Sequence, residues 1–193
     1  MPRVFPQLET ARLVLRKMTL HDLEFYFHHF NITEIVEGTC FLGPKDLQAA
    51  KRELEHYCIN PFEENKGIRW GIINKADNKL IGTLGIYDWD KTARRAEIGY
   101  DLEPAYWQQG LMTEALCVVL KYGFEKMKLN RIQALIDSKN ARSMKLVRRL
   151  GFRKEGVLRQ RSYFKGKFLD DVMFSLLKTE WKKRKSKADK KRN

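Results

Sequence analysis

Long apolar runs, paired cysteines and linkers rich in Gly, Pro or Ser are all missing from this 193-residue sequence. No apolar run reaches the roughly 18 residues that a membrane-spanning helix needs. The stretch MPRVFPQLETARLVLRK has no continuous apolar core and no small-residue cleavage site, so it does not resemble a secretory signal. The three cysteines, Cys40, Cys58 and Cys117, lack metal-ligand or redox spacing. We therefore expect a cytoplasmic protein with reduced thiols, no metal site and no membrane partner.

Histidine is scarce as well. The four residues His21, His28, His29 and His56 all lie in the first third of the chain, and none has an evident metal-ligand or nucleophile partner in sequence. Since histidine is often only partly buried, we interpret these residues mainly as solvated helix positions.

The charge of the chain is unevenly distributed. The net charge is +14, and residues 181–193 (WKKRKSKADKKRN) carry eight basic residues against Asp189, a net of +7. Charge blocks of this kind are usually disordered. We therefore expect one domain over residues 1–181 and a basic, disordered tail over residues 182–193. The tail is either a solvated end or a sequence-independent contact with RNA, for example on a ribosome.

The periodicity of apolar residues predicts an α/β fold. Strand-like segments and helix-like segments follow one another in the order β-α-α-β-β-β-α-β-α-β-β, which combines hairpins with one strand–helix–strand crossover. The predicted helices run from about Leu20 to Phe30, from Pro44 to Cys58, from Gln109 or Gly110 to about Lys126, and from Asn140 to Gly151, while NITEIVEGTCFLG is predicted to be irregular. This order favours a mixed, mostly antiparallel central sheet with helices on both faces.

The stretch YWQQGLMTEAL, from Tyr106 to Leu116, suggests a binding site at a helix start. The first N–H groups of a helix are unpaired and lie at the positive end of its dipole, and Gly110 lets a ligand approach the backbone. These features suit a phosphate or pyrophosphate. The sequence QQG matches neither of the common phosphate-binding motifs, so an ordinary loop-to-helix junction is the alternative.

Two motifs in order, AEIGYDLEPAYWQQGLMTEAL and NARSMKLVRRLGFRKEG, resemble the GNAT superfamily of N-acetyltransferases. The segments LETARLVLRKMTLHDLE and DDVMFSLLKTEW are similar to the start and end of its RimJ/RimL branch, the ribosomal-protein N-terminal acetyltransferases. The resemblance covers about residues 7–181. It implies the GNAT fold, acetyl-coenzyme A (acetyl-CoA) as the acetyl donor, and an amine as the acceptor.

The resemblance also implies which residues hold acetyl-CoA. The pantetheine arm would pair with the strand backbone, the pyrophosphate would lie on the loop and helix start, and a second helix would flank the coenzyme. The residues at the matching positions are Ile98, Gly99, Tyr100 and Leu102 on the strand, Trp107, Gln108, Gln109, Gly110, Leu111, Met112 and Thr113 at the loop and helix start, and Asn140 and Ser143 on the second helix.

The sequence departs from the family pattern at several positions. Trp107 replaces the usual Gln or Arg that opens the phosphate motif, and Met112 replaces a small residue. Val147 stands where many members have a tyrosine acid, and Ser162 stands near a carboxylate position of the ribosomal branch. Because a thiol has a pKa of about 8.5, the leaving group needs little help, and Ser143 or a water would protonate it.

Acetyl transfer also requires a neutral amine, and Glu97 is the first candidate for the base. The alternative is a surface carboxylate paired with Arg94 or Arg95. A backbone N–H near Gly99 or Tyr100 would polarise the thioester carbonyl. If Glu97 is not the base, the alternative carboxylates are Asp88, Asp90 and Asp101. The aromatic residues Trp70, Tyr87 and Trp89 either line the acceptor slot or belong to the core.

Three functional hypotheses remain open from the sequence. The first is an enzyme, monomeric or homodimeric, that acetylates the N-terminal α-amine of a protein, with ribosomal proteins as candidates. The second is an enzyme for a small amine such as a polyamine, an amino acid or an aminoglycoside. The third is a module that binds coenzyme A or RNA without turnover, which the valine at position 147 favours.

Overall fold

The computed structural model describes residues 4–189, with the side chains of residues 4–184. The eight strands are β1 (Leu8–Glu9), β2 (Leu13–Lys17), β3 (Ile68–Asn74), β4 (Lys79–Asp90), β5 (Arg95–Leu102), β6 (Arg131–Asp137), β7 (Arg153–Phe164) and β8 (Lys167–Leu177). The α-helices are α1 (Leu23–His29), α2 (Thr33–Thr39), α3 (Leu47–Leu54), α4 (Asn60–Glu63), α5 (Leu111–Glu125), α6 (Ala141–Leu150) and α7 (Lys178–Asp189).

Most of the predicted elements are confirmed, but the region before β3 differs from the prediction. The segment predicted as irregular contains α2, in which Ile35 is buried at 3% exposure. Its β-branched residues and Gly38 give it weak helix propensity, so tertiary packing decides its conformation. Helix α3 begins three residues later than predicted, after Asp46, whose carboxylate accepts a hydrogen bond from the Ala49 N–H at 2.7 Å.

The chain divides into two compact units, each made of two segments. The first unit holds the residues up to Asp88 together with Ile98–Val119, and the second holds Trp89–Glu97 together with the residues from Leu120 onward. Strand β5 and helix α5 therefore contribute residues to both units. The prediction that residues 1–181 make one domain remains a prediction.

In the first unit the strand order is β1-β2-β3-β4-β5, and β1 to β4 are antiparallel. Hairpin β3–β4 is in the predicted place, with Trp70 opposite Leu84. Helices α1, α2 and α3 bury an apolar cluster made of Met18, Tyr26, Phe30, Ile35, Ala50, Leu54 and Cys58. This burial anchors α1, the helix that carries His29.

In the second unit the strand order is β5-β6-β8-β7. The only parallel register recorded among the described strands joins Arg95–Glu97 of β5 to Arg131–Gln133 of β6, whereas β6–β8 and β8–β7 are antiparallel. The predicted turn at Lys165 and Gly166 is confirmed, and both residues have the positive φ that tight hairpin turns need, at 47° and 79°. The fold is thus a mixed, mostly antiparallel α/β fold, as predicted.

The basic segment 182–193, for which we expect a disordered tail, is helical as far as the structure describes it, and the expectation for the whole segment remains a prediction. Helix α7 runs through Lys178–Asp189, and residues 190–193 lie outside the described residues. Contacts to the rest of the second unit hold the first turns of α7. Trp181 packs on Phe124 with ring centroids 5.2 Å apart, Arg184 Nη2 donates to the Arg149 carbonyl at 2.8 Å, and Glu180 lies 2.9 Å from Arg153. Within residues 4–189, no helix has both the length and the apolar character that crossing a membrane requires.

Candidate active site

The loop before α5 has the backbone geometry of an anion site. Gln108 and Gly110 both have positive φ, at 62° and 77°, and α5 begins immediately afterwards at Leu111. The first helical hydrogen bond is made by Glu114 N–H to the Gly110 carbonyl at 3.1 Å, so the N–H groups of residues 111–113 precede it. These amides and the positive end of the helix dipole suit a phosphate. We name residues 107–113 the phosphate loop.

Gly110 faces open space. A Cβ atom built on it would have one neighbour within 4 Å, Arg12 Nη2 at 3.6 Å. Residues 108–110 are exposed, whereas Leu111 and Met112 are buried and fix the helix start to the core. The loop therefore combines a rigid base with an accessible backbone, which fits the pyrophosphate of acetyl-CoA.

Arg12 is a part of this site that sequence analysis missed. Its Nη1 donates to the Gln109 carbonyl at 3.0 Å, and its Nη2 lies 2.8 Å from Glu114 Oε2. Glu114 also accepts hydrogen bonds from Thr10 Oγ1 at 2.5 Å and from the Arg12 N–H at 2.9 Å. Partial burial raises the pKa of Glu114, but these hydrogen bonds outweigh it, so the net shift is downward. The ionised Glu114 thus holds a half-exposed guanidinium beside the phosphate loop.

Trp107 attaches the loop to the core of the first unit. Its indole Nε1 donates to the Leu102 carbonyl at 2.6 Å, and its ring packs against the cluster under α1 and α3. Gln109 Nε2 donates to the Ala105 carbonyl at 3.0 Å. These contacts explain the aromatic and amide side chains that precede Gly110: they shape the loop, and they leave backbone groups to meet a ligand.

Strand β5 carries the four predicted pantetheine contacts. Ile98 and Leu102 are buried, while Gly99 and Tyr100 are intermediate in exposure. Gly99 lies against Tyr87 of β4, because a Cβ on Gly99 would approach Tyr87 Cε1 to 2.9 Å. A side chain at position 99 would therefore displace Tyr87, which explains the need for glycine here.

Glu97, the candidate base, is not a surface carboxylate. It is 6% exposed, and Gln133 Nε2 donates to its Oε2 at 3.3 Å. Of the two arginines considered as its partners, Arg95 lies 3.6 Å from Asp90 instead. Burial of a carboxylate is common at catalytic positions, although buried ion pairs also occur for structural reasons.

Asp101, one of the fallback carboxylates, has a different environment. Both its oxygens are fully buried and accept hydrogen bonds: Oδ1 from His29 Nε2 at 2.7 Å and Thr83 N–H at 2.8 Å, and Oδ2 from Arg69 Nη2 and Thr83 Oγ1, each at 2.7 Å. Burial alone would raise the pKa of Asp101, but the His29 hydrogen bond and the nearby positive charges lower it to about 2. Asp101 is thus a saturated anion that holds β5 to α1, β3 and β4. We call His29, Arg69, Thr83 and Asp101 the buried network.

The buried network corrects one prediction from sequence. His29 is 1% exposed and bonded to Asp101, so its interpretation as a solvated residue is wrong, whereas His21, His28 and His56 are exposed. Helical spacing places His29 on the inner face of α1, together with Tyr26. Its partner Asp101 is 72 residues away, and no local sequence signal links the two.

The other candidates have structural contacts of their own. Asp88 is exposed, and Asp90 accepts a hydrogen bond from the Ala93 N–H at 2.8 Å in the β4–β5 turn. Trp70 is fully buried and donates to the Pro6 carbonyl at 2.7 Å, which confirms the core interpretation. Tyr87 and Trp89 are intermediate in exposure.

Helix α6, in the second unit, carries the remaining candidates. Asn140 is its N-cap, as predicted, and its Oδ1 accepts a hydrogen bond from the Ser143 N–H at 3.0 Å. Asn140 and Ser143 are both intermediate in exposure, whereas Val147, at the expected tyrosine position, is fully buried. Val147 is therefore a core residue of this unit.

Comparison with known proteins identifies the family. The family model described as an acetyltransferase (GNAT) domain matches residues 12–153. The chain belongs to the GNAT acetyltransferase family. It is 37% identical over 179 residues to "Uncharacterized N-acetyltransferase YoaA" of Bacillus subtilis (strain 168). The aligned residues cover 91% of this chain and 98% of that protein.

Further comparisons agree with this assignment. "Uncharacterized N-acetyltransferase p20" of Bacillus licheniformis is 38% identical over 175 residues, covering 90% of this chain and 97% of that protein. A crystal structure described as a probable acetyltransferase superposes with a TM-score of 0.82 at 25% identity, covering 91% of this chain and 98% of the other. This GNAT protein is accordingly an acetyl-CoA-dependent N-acetyltransferase.

Two more distant relatives have names that specify an acceptor. "Putative ribosomal N-acetyltransferase YdaF" of Bacillus subtilis (strain 168) is 33% identical over 120 residues, covering 62% of this chain and 64% of that protein. "Spermidine N(1)-acetyltransferase" of Escherichia coli (strain K12) is 24% identical over 167 residues, covering 86% of this chain and 87% of that protein. The first name refers to the ribosome and the second to spermidine, a polyamine.

Proposed function

We propose that this GNAT enzyme transfers the acetyl group of acetyl-CoA to the N-terminal α-amine of a protein, with ribosomal proteins as the candidate acceptors. The observation that carries this choice of acceptor is the net charge of +14. A basic enzyme attracts complexes rich in RNA and repels free polycations. The name of the ribosomal relative supports the same choice, and the basic residues of α7 would add to the contact with ribosomal RNA.

The phosphate loop binds the donor in this proposal. Acetyl-CoA supplies an acyl group already activated as a thioester. The N–H groups of residues 108–113 and the Arg12 guanidinium contact its pyrophosphate, while the backbone of Ile98–Leu102 pairs with its pantetheine arm. By the family resemblance, Asn140 and Ser143 of α6 are further candidate contacts for the coenzyme. A backbone N–H at Gly99 or Tyr100 stabilises the charge that develops on the thioester oxygen.

Glu97 is the general base in this proposal. A protein α-amine has a pKa of about 7.7 to 8.0, against about 10.4 for lysine, so near neutral pH its deprotonation costs only about 1.4 kcal/mol. A buried carboxylate that acts directly or through one water is sufficient for this step. The thiolate then leaves and takes a proton from Ser143 or from water, because Val147 has no proton to donate.

The role of Glu97 can be tested with Glu97→Gln, which keeps the shape of the side chain and its partner Gln133. We expect kcat to fall by roughly 10²-fold at pH 7 with little change in acetyl-CoA affinity. The loss should shrink as pH rises, because the amine then deprotonates unaided. A wild-type rate at pH 7 would make Glu97 a structural residue. Ser143→Ala, measured in the same assay, tests the contact with the leaving group.

The acceptor class can be tested in a single competition. The purified protein would be incubated with labelled acetyl-CoA, peptides with free N-termini, the same peptides with blocked N-termini, and spermidine. Mass spectrometry would then locate the label. We expect label on the free α-amines of the peptides. The amount should exceed the label on spermidine, and the blocked peptides should carry none. Label found only on spermidine would contradict the proposal, and coenzyme binding without any label would favour a non-catalytic module.

A small-amine acetyltransferase is the second candidate function, and the spermidine acetyltransferase among the relatives favours it. A polyamine requires an acidic slot, for which Asp88 and Asp90 of the YDWD segment are available. Asp88→Asn with Asp90→Asn separates the two functions. If the acceptor is a polyamine, this double variant should raise its KM, whereas the KM for a neutral peptide should be unaffected.

A further inference from the structure

The β7–β8 hairpin of the second unit exposes an aromatic pair at its tip. Tyr163 and Phe168 stand directly opposite each other in the register, with ring centroids 5.0 Å apart. They are 65% and 64% exposed, which is unusual for large apolar side chains, while the neighbouring Phe164 is buried and fixes the tip to the unit. The pair is thus a rigidly held aromatic surface that faces solvent.

Cationic side chains lie along the strand and turn that carry this pair, with Lys165 and Lys167 at the tip itself. Residues 153–167 include six basic residues and one acid, Glu155, for a net charge of +5. All six are exposed. Among the described residues, no ion pair involves Lys154, Arg159 or Lys167. The hairpin therefore has positive charge available for an anionic partner.

The acidic residues on the facing strand do not cancel this charge completely. Asp171 is buried and accepts hydrogen bonds from Ser162 Oγ at 2.6 Å and Arg161 Nη1 at 3.1 Å. Asp170 accepts a hydrogen bond from the Gln160 N–H at 2.8 Å, where β7 bulges and Gln160 has a positive φ of 51°. Both carboxylates thus form hydrogen bonds with groups of the hairpin itself and stabilise its shape.

We propose that this hairpin binds single-stranded RNA, with bases stacked on Tyr163 and Phe168 and phosphates beside the exposed Lys and Arg side chains along the hairpin. Exposed aromatics that alternate with cations are the combination that proteins use for single strands, because every base has a face to stack and every nucleotide carries a charge. A second copy of the chain fits the surface less well, because the hairpin over residues 153–177 carries six basic and three acidic residues, and two hairpins of net charge +3 repel each other. The choice of RNA over DNA rests on the proposed ribosomal acceptor.

Fluorescence anisotropy with a labelled single-stranded RNA oligonucleotide tests this proposal on the full chain without acetyl-CoA. Tyr163→Leu and Phe168→Leu keep apolar bulk and remove the ring, and each should weaken binding by about tenfold. Tyr163→Phe retains the ring and should bind like wild type. Lys165→Gln combined with Lys167→Gln should reduce the slope of log K against log salt by about 1.4. Lys51→Gln combined with Arg52→Gln, on the exposed face of α3, should leave this slope unchanged.

The outcomes are distinguishable from those of the acetylation assay, because transfer to a short free peptide does not require the hairpin surface. Wild-type RNA affinity in both leucine variants would overturn the proposal, as would an equal change of salt slope in the Lys51/Arg52 control. Sedimentation of the same variants tests whether a second copy of the chain binds the hairpin instead of RNA. A dimer that dissociates in Tyr163→Leu, without any effect on RNA binding, would assign the hairpin to self-association.

Discussion

Two clusters of the first unit each pair a carboxylate with an arginine, but they differ in how far solvent and ligands can reach the charges. In the buried network, each carboxylate oxygen of Asp101 accepts two hydrogen bonds, and the His29 and Asp101 side chains have no exposed area. Beside the phosphate loop, Glu114 likewise holds an arginine, but Arg12 remains 50% exposed and next to Gly110. The closed cluster uses its Asp101 oxygens entirely within the protein, whereas the open one leaves a cation and backbone N–H groups for a ligand.

The same difference separates the two carboxylates of β5. Asp101 is an anion with four donors and a pKa lowered to about 2, so it is a poor acceptor for another proton. Glu97 lies four residues earlier, and the neutral amide of Gln133 donates a hydrogen bond to it. Sequence alone made both of them candidates for the base. The donors around Asp101 remove it from that role, and Glu97 remains the proposed base.

The largest expected effect comes from breaking the closed cluster. Asp101→Asn would leave the buried His29 and the mostly buried Arg69 without their anion, which typically costs about 3–5 kcal/mol. Denaturant unfolding would measure the loss in the free energy of unfolding. Asp90→Asn is the matched control, since Asp90 is partly exposed, lies 3.6 Å from Arg95 and should cost about 1 kcal/mol at most. A loss below about 1 kcal/mol for Asp101→Asn would contradict the assigned role of the network.

Acid should weaken the closed cluster by a smaller amount. The pKa of Asp101 in the folded state, about 2, lies below its ordinary value of 3.8, so its stabilising contribution is present above pH 4 and is lost as pH falls towards 2. The shift corresponds to about 2 kcal/mol. Unfolding at a series of pH values measures the total loss, and the carbon chemical shift of the Asp101 carboxyl group identifies its share. A carboxyl group that titrates near 3.8 would show that the network does not hold the anion.

A third change, at the open cluster, should have the smallest effect. Arg12→Gln removes a half-exposed cation beside the proposed pyrophosphate site, and solvent screening limits its worth to about 1 kcal/mol, or roughly fivefold in the affinity for acetyl-CoA. Arg12→Lys keeps the charge and loses the planar contacts to Gln109 and Glu114, so it should fall between the wild type and Arg12→Gln. Calorimetry would measure both variants. Equal affinities in all three proteins would remove Arg12 from the site.

The comparison of the two clusters also shows which features the sequence could predict. The phosphate loop is local: a glycine, a helix start and the preceding strand follow one another in the chain, and their geometry follows from short-range rules. The buried network joins residues 29, 69, 83 and 101 through tertiary packing, and Arg12 reaches the loop from the bend before β2. Such contacts depend on strand order and side-chain direction, which one sequence does not specify. Helix α2 was missed for the same reason, because packing of Ile35 outweighs its weak helix propensity.

The central claim is that the open loop around Gly110 holds the phosphates of acetyl-CoA, and one paired measurement tests it most directly. Asn and Asp both tolerate the positive φ of 77° at position 110 better than most residues and have similar size, so Gly110→Asn and Gly110→Asp differ mainly in charge. Calorimetry with acetyl-CoA should give an affinity for the Asp variant at least about tenfold below that for the Asn variant, because a carboxylate repels a pyrophosphate at close range. Equal affinities in two folded variants would contradict the claim.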